Sequence, residues 1–440
     1  MTLDQRRTTA APVPAGWNAI THVPRGTRAV VGAPVVAALF RCAVAGLPVR
    51  VEYPDGTVLG AATASGPRLL LHRPHAFFAR VAASGLIGFG EAYMVGDWSA
   101  PDLPAVLTVL ASRIETLVPA PLQRLRAVCL PRPPCSQRGT RAGARANIAH
   151  HYDLSNEFFG LFLDETMTYS SALFDRLDPA PTWSDMADAQ RRKIDRLLDA
   201  ARVAAGTRLL EIGTGWGELA IRAARRGARV HTITLSREQQ LLARERIAAT
   251  GLSDKVTVAL QDYRDVTGRY DAVVSAEMIE AVGHHHLPTY LSTLDRLLDD
   301  GGRIAVQAIT MPHERMLATR RTYTWVHKYI FPGGFLPSVQ LLEQLTAEHT
   351  GLRIVDRHSF GPHYAHTLRL WLQRFTAHTG GADALGFDRV FRRMWRLYLA
   401  YSEAGFASGY LDVHQFVLER EVDRDDQRCR SASARQAADR

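Results

Sequence analysis

Beyond residue 200 the apolar positions follow two alternating periods. The runs "TRLLEIG" (207–213), "ARVHTITL" (228–235), "KVTVALQ" (255–261), "YDAVVSAE" (270–277) and "GRIAVQAIT" (302–310) are short, apolar and rich in β-branched residues, which predicts buried strands. Between them, "ELAIRAARRG", "REQQLLARERIAATG" and "HLPTYLSTLDRLLDDGG" carry the spacing of helices that bury one face. Strands alternating with helices predict an α/β fold with a doubly wound parallel sheet, whose ligands bind beyond the carboxyl ends of the strands.

Ahead of this region, 33–128 mixes a β-like stretch, "LPVRVEYPDG", with helical patterns such as "HAFFARVAASGLIG" and "LPAVLTVLASRIETLV". The segment "LPRPPCSQRGTRAGARA" (130–146) has prolines, glycines and arginines without apolar period and reads as a linker. The expected organisation is a smaller, mainly helical N-terminal domain over 1–130, a linker over 131–146, a catalytic domain over 147–420 and a polar tail over 421–440. The longest apolar run, "AVVGAPVVAALF" (29–40), ends at Arg41 and falls short of the ~20 residues that span a bilayer, so no transmembrane segment is expected. The first residues lack the pattern of a secretion signal, which predicts a cytoplasmic protein. Four scattered cysteines form no C-x-x-C pair, against a disulfide framework or structural zinc.

The net charge of +9 changes the picture once it is located. Residues 1–145 hold 16 Arg, no Lys and 7 acids, so the whole excess lies in the N-terminal third. A basic surface there suits anionic lipid headgroups or nucleic acid, or is simply a solvated face.

"LLEIGTGWGELA" closes the first strand of the alternation and opens its first helix. Gly213, Gly215 and Gly217 permit a sharp turn and close backbone approach at a helix N-terminus, a nucleotide-type cofactor site. The spacing is G-x-G-x-G, not the G-x-G-x-x-G of dinucleotide sites, and Glu211 precedes the turn. It resembles the motif of S-adenosylmethionine-dependent methyltransferases.

Other stretches narrow the likeness. "NIAHHYDLSNEFFGLFLDETMTYSSALF" (147–174), "YIFPGGFLPS" (329–338), "HYAHTLRLW" (363–371) and "FRRMWRLYLAYSEAGFASGYLDVHQFVL" (391–418) resemble, in order and spacing, the cyclopropane-fatty-acyl-phospholipid synthase family. "GLIGFGEAYMVGDW" (85–98) extends the likeness into the N-terminal domain, and "AITMPHERMLATR" with "YIFPGGFLPS" looks most like the branch that makes 10-methyl-branched acids, the tuberculostearic acid methyltransferases. The resemblance implies a Rossmann-like class I methyltransferase fold with S-adenosylmethionine as cofactor. It implies that Tyr169 and Ser170 touch the methionine part, that Gly213 and Gly215 lie beneath it, that Thr234, Leu235 and Gln239 surround the ribose, and that Asp262 and Tyr263 border the adenine. No acid follows the second strand, as in the family.

In "AEMIEAVGHHH" (276–286), Glu280 stands at the carboxyl end of the fourth strand. In the family the equivalent glutamate helps hold a bicarbonate ion that serves as the base, and Tyr364 matches the family's tyrosine at that site, where its ring or hydroxyl can also stabilise a cation. Three positions depart from the pattern: the family's cysteine is Ser171, the histidine after Glu280 is Ala281, and another histidine is Gln307, which cannot shuttle a proton. The resemblance implies methyl transfer to the cis double bond of a phospholipid acyl chain through a carbocation. With a weaker base the cation rearranges by hydride shift, so a 10-methylene product is expected. A separate flavin- or nicotinamide-dependent reductase then saturates it, and the enzyme rests on the inner face of the membrane.

Simpler readings stand beside these. His284, His285 and His286 are adjacent, so they cannot all face one ion, and they read as a helix start. Glu280 is a capping acid if it is not catalytic. Phe391, Met394, Trp395, Tyr398 and Phe406 are a helix core stripe or the lining of an acyl tunnel. His150 and His151 read as structural. The alternatives to a methylene-forming enzyme are a cyclopropane synthase on the same substrate and a lipid-binding pseudoenzyme. A nucleic-acid methyltransferase lacks an N-P-P-Y-like motif here, and no nucleic-acid partner is expected.

Overall fold

The computed structural model describes residues 17–63, 65–113 and 154–420. The expected linker, His150, His151 and the tail lie outside them.

All five expected strands form: β5 (Arg208–Ile212), β6 (Arg229–Thr234), β7 (Val256–Leu260), β8 (Tyr270–Ala276) and β9 (Leu298–Thr310). They are mutually parallel, and with β10 (Leu352–Ser359) and β11 (Asp412–Arg420) they build a seven-stranded sheet in the order β10-β11-β9-β8-β5-β6-β7. β11 runs antiparallel to both β9 and β10. Neither of these last two strands shows an apolar run. β10 is an edge strand with most side chains in solvent, and β11, buried through Val413–Leu418, carries His414 and Gln415 in its middle. The chain steps outward from β5 through β6 to β7 on one side and then returns from β7 to β8 on the other side of β5, so the carboxyl ends of β5 and β8 border the switch point, where such sheets open a crevice.

The N-terminal residues form a smaller sheet, β2-β1-β3-β4, from β1 (Arg50–Glu52), β2 (Val58–Leu59), β3 (Arg68–Leu71) and β4 (Trp98–Ser99), under the helices Thr27–Ala45, Pro74–Ser84, Leu86–Val95 and Leu103–Ser112. Its core is continuous with that of the larger unit: Phe77, Trp98 and Val106 belong to the same apolar cluster as Phe158, Trp371 and Trp395. The stretch 85–98 makes the weld. Gly90 lies so close to the Trp325 ring that a Cβ would sit 2.4 Å from it, and Glu91 accepts from Lys328 Nζ at 2.5 Å and Tyr329 Oη at 2.6 Å. Arg393, on the helix Arg389–Ala407, donates to the carbonyls of Tyr93 and Trp98. The buried stripe Phe391, Met394, Trp395, Tyr398 and Phe406 belongs to this shared core.

One element is longer than its apolar run suggested. The helix Thr27–Ala45 continues through Arg41 to reach 19 residues, with a mean hydropathy that makes it, by length and composition, able to cross a membrane. Ala29, Ala33 and Val44 are its buried side chains, and Gly32 meets Ala82 of the helix Pro74–Ser84. Val30, Val31, Val35 and Leu39 are exposed, Val31 at 68%.

Candidate active site

Two clusters meet at the carboxyl end of the sheet. The first is the turn after β5, where Gly213, Gly215 and Gly217 take φ of +101°, +52° and +91°. Other side chains resist these left-handed values, and at Gly213 a Cβ would stand 2.4 Å from Met278 Cγ. Thr214 hydrogen-bonds Thr232 across to β6 at 2.7 Å, and Trp216 Nε1 donates to Asn156 at 2.7 Å. Burial pushes the Glu211 carboxyl up to about 8, and its Oε2 has no hydrogen-bond partner. A glycine cradle beside a buried, unpartnered carboxylate oxygen fits a cofactor that carries N–H and O–H donors and comes close to the backbone.

The other expected cofactor positions lie in the loop before the helix Met186–Ala200 and at the carboxyl ends of β6 and β7, the strands that follow β5 in the sheet. Tyr169 shares a 2.8 Å hydrogen bond with the Tyr398 hydroxyl and packs on Trp371, and Ser170 Oγ accepts from Lys193 Nζ at 2.5 Å. At the end of β6, Thr234 Oγ1 donates to Gln239 Oε1 at 2.8 Å, with the partly buried Leu235 following. After β7, Asp262 is gripped by the Arg264 guanidinium, and Tyr263 packs edge-on to Tyr290 while burial pushes its hydroxyl up to about 12.

The second cluster holds the four expected catalytic positions, and a fifth residue is at its centre. Glu277, directly after β8, has both carboxylate oxygens engaged: Oε1 accepts from the Ser171 backbone N–H at 2.9 Å and from Gln307 Nε2 at 2.7 Å, and Oε2 accepts from the Tyr364 hydroxyl at 2.6 Å. Tyr364 thus meets Glu277 and not Glu280. Ser171 contributes its backbone, because its hydroxyl donates to the Ala172 carbonyl. Gln307 has its amide fixed from β11, where Gln415 Nε2 donates to Gln307 Oε1 at 3.1 Å, so the Gln307 NH2 is left to face Glu277. Glu280 Oε1 accepts from the Ile309 N–H at 2.6 Å, and its Oε2 is buried with no partner. Burial and the neighbouring Glu277 charge push the Glu280 carboxyl up to about 8. Burial also raises Glu277, against the pull of Lys193 and its three donors. Lys193 is buried, which draws its ammonium down to about 8, and it is the cation whose field offsets the Glu277 and Glu211 carboxylates.

Glu277 was not anticipated from the sequence, although it stands three residues before Glu280 in the same stretch. The available signal was its place as the first residue past a strand in a cofactor-bearing sheet. The three histidines form a single 3-10 turn leading into the helix Leu287–Leu297, with the His284 ring edge-on to Phe335.

Residues 140–416 match the family described as mycolic acid cyclopropane synthetase. The chain belongs to that family. It is 55% identical to the tuberculostearic acid methyltransferase UfaA1 of Mycobacterium tuberculosis, over 96% of this chain and 99% of the relative, and 33% identical to the cyclopropane-fatty-acyl-phospholipid synthase of Escherichia coli, over 79% and 86%. Among solved structures, the mycolic acid cyclopropane synthase CmaA1 complexed with SAH and CTAB superposes with a TM-score of 0.57, at 32% identity over 63% of this chain and 98% of that one. The protein is therefore an S-adenosylmethionine-dependent methyltransferase of the cyclopropane synthase family, with the α/β sheet that its apolar periodicity predicted.

Proposed function

We propose that the protein transfers a methyl group from S-adenosylmethionine to the cis double bond of an oleoyl-type chain on a membrane phospholipid, giving a 10-methylene fatty acid that a separate flavin- or nicotinamide-dependent reductase saturates to the 10-methyl acid. The observation that carries this reading is the near full-length likeness to a tuberculostearic acid methyltransferase. The carboxylate cluster beside the cofactor turn supports it, because methylation at carbon, unlike methylation of a heteroatom, leaves a proton to be taken from carbon.

When bound, S-adenosylmethionine supplies an electrophilic methyl group on a sulfonium. The glycine turn holds the cofactor close, while Tyr169 and Ser170, locked by Tyr398 and Lys193, fix one wall. The π electrons of the double bond would form the new C–C bond as the methyl–sulfur bond breaks with its pair kept by the departing thioether, leaving a cation on the adjacent carbon. Hydride migration moves that cation to the methylated carbon, and loss of a methyl proton gives the exocyclic methylene. A rigid, preorganised cluster stabilises the charge without reorganising.

The exposed helix Thr27–Ala45 suits a lipid surface, with Val30, Val31, Val35 and Leu39 outward and the exposed Arg25, Arg28 and Arg41 beside them. An apolar face flanked by cations is the pattern of helices that lie in the interface of an anionic bilayer. We place the enzyme peripherally on the cytoplasmic face on that basis.

The test is to incubate the protein with S-adenosylmethionine and oleoyl phospholipid vesicles without reductant, and to analyse the fatty-acid methyl esters by gas chromatography and mass spectrometry. A 10-methylene ester is expected. A cyclopropane as sole product would replace this reading with that of a cyclopropane synthase, and no methylated ester would end both.

A further inference from the structure

We infer that Glu277 is itself the base that removes the proton from the methylated chain, so that this enzyme carries its own carboxylate where a small anion would otherwise be held. The inference rests on the methyltransferase reading above.

Three donors from three distant segments converge on one carboxylate: Ser171 from the loop before the helix Met186–Ala200, Gln307 from β9 and Tyr364 from the helix Gly361–Ala377. Donors so arranged define an anion site, and Glu277 already fills it. A carboxylate has about four lone-pair positions. Oε1 accepts two hydrogen bonds and Oε2 one, so a single position on Oε2 stays open for a proton. Ser171 and Gln307, which hold it from behind, are fully buried.

Its position relative to the cofactor follows from sheet register. Ile212 pairs with Ser275, so the glycine turn begins one residue past that pair and Glu277 stands two residues past it, just beyond the end of the adjacent strand β8. Met278, the next residue, touches Gly213. The backbone at Glu277 has φ of +53°, a left-handed conformation that strains a non-glycine residue and persists where the surroundings enforce it, commonly at functional sites. Glu280 is less suited to the task. Its carboxyl accepts from one donor, the Ile309 N–H, against three on Glu277, and the Glu277 charge beside it favours keeping its proton on.

In the reaction, the C–H bond of the migrated cation's methyl group breaks, its electron pair forms the C=C bond, and the proton passes to Glu277 Oε2. No further reactant is required, and the Tyr364, Gln307 and Ser171 donors hold the acid in place until solvent exchange removes the proton.

The test compares methylated ester formed in carbonate-free buffer under argon and in bicarbonate, for the full chain and for Glu277→Gln and Glu277→Gly, with S-adenosylmethionine affinity measured by calorimetry. Wild-type turnover should be the same in both buffers. Glu277→Gln should lose at least about 100-fold of it while binding S-adenosylmethionine within about twofold, since a general base contributes about 10²–10⁴ in rate. Glu277→Gly, which suits the left-handed backbone and opens the anion site, should be comparably slow and recover about tenfold or more with bicarbonate or formate. Wild-type turnover that collapses on removing bicarbonate would overturn the inference without any variant. So would Glu277→Gln retaining more than a tenth of wild-type turnover, or Glu277→Gly binding the cofactor but gaining nothing from either anion. A wild type that methylates no acyl chain would instead reject the methyltransferase reading on which the inference rests.

Discussion

The two clusters at the carboxyl end of the sheet are built in opposite ways. The cofactor turn is local: Glu211 to Gly217 are consecutive, and their geometry comes from a strand end, three positive-φ glycines and a helix start. The base cluster is assembled from residues 171, 277, 307 and 364, which only the folded sheet brings together. A local site fails when its backbone is blocked. An assembled site loses function one donor at a time and keeps its fold.

That contrast is tested most severely at Gly213. Gly213→Val meets both a forbidden φ and the Met278 side chain, and should lower S-adenosylmethionine affinity by about 100-fold or more in calorimetry, since left-handed strain alone costs about 1–3 kcal/mol. An unchanged affinity would remove the cofactor from this turn. In the assembled cluster, Tyr364→Phe deletes one hydrogen bond to a carboxylate, worth about 1.5–3 kcal/mol, and should reduce kcat by about 10- to 100-fold with S-adenosylmethionine affinity unchanged. The sign of its pH effect is fixed. The Tyr364 donor favours the ionised form of Glu277, so its loss raises the Glu277 pKa, and because the base works when deprotonated, the acid limb of the kcat profile should move to higher pH.

A smaller effect belongs to the outer helix. Val31→Asp with Val35→Asp should weaken binding to anionic vesicles by about tenfold in sedimentation, given roughly 1 kcal/mol or more for each buried valine, and leave turnover on detergent-dispersed lipid within about twofold. Equal binding by the double variant would take the membrane contact away from this face. The smallest effect is expected at Glu280, whose carboxyl rises from 4.5 to about 8 on folding. The folded chain therefore holds a proton that the unfolded chain has released, and stability from this group falls as pH climbs from about 4.5 to about 8. Glu280→Gln abolishes that fall: its Tm should equal wild type near pH 5 and exceed it by about 2 °C near pH 8 by calorimetry.

The same contrast explains what could be read from the sequence. The five parallel strands and the glycine turn were legible because apolar period and turn chemistry are local properties. β11 was not, since its buried middle contains His414 and Gln415, polar residues that belong there because Gln415 orients Gln307 and meets the backbone of Lys193. Glu280 drew notice as the family's acid, whereas Glu277 gains meaning only from three donors that lie 106, 30 and 87 residues away along the chain, each contributed by a different segment. The helix Thr27–Ala45 was underestimated because Arg41 interrupts the apolar run without interrupting the helix.

The left-handed backbone at residue 277 also has a genetic reading. It is a position that glycine would occupy without strain, and glycine codons GGA and GGG become the glutamate codons GAA and GAG by one transition in the second base. Under the proposed mechanism, a chain with glycine here leaves the anion site open and a chain with glutamate fills it, and the two differ at this position by a single nucleotide. The departures at Ser171, Ala281 and Gln307 stand beside that single change, so the exchange of a bound anion for a fixed side chain takes in the neighbouring positions as well.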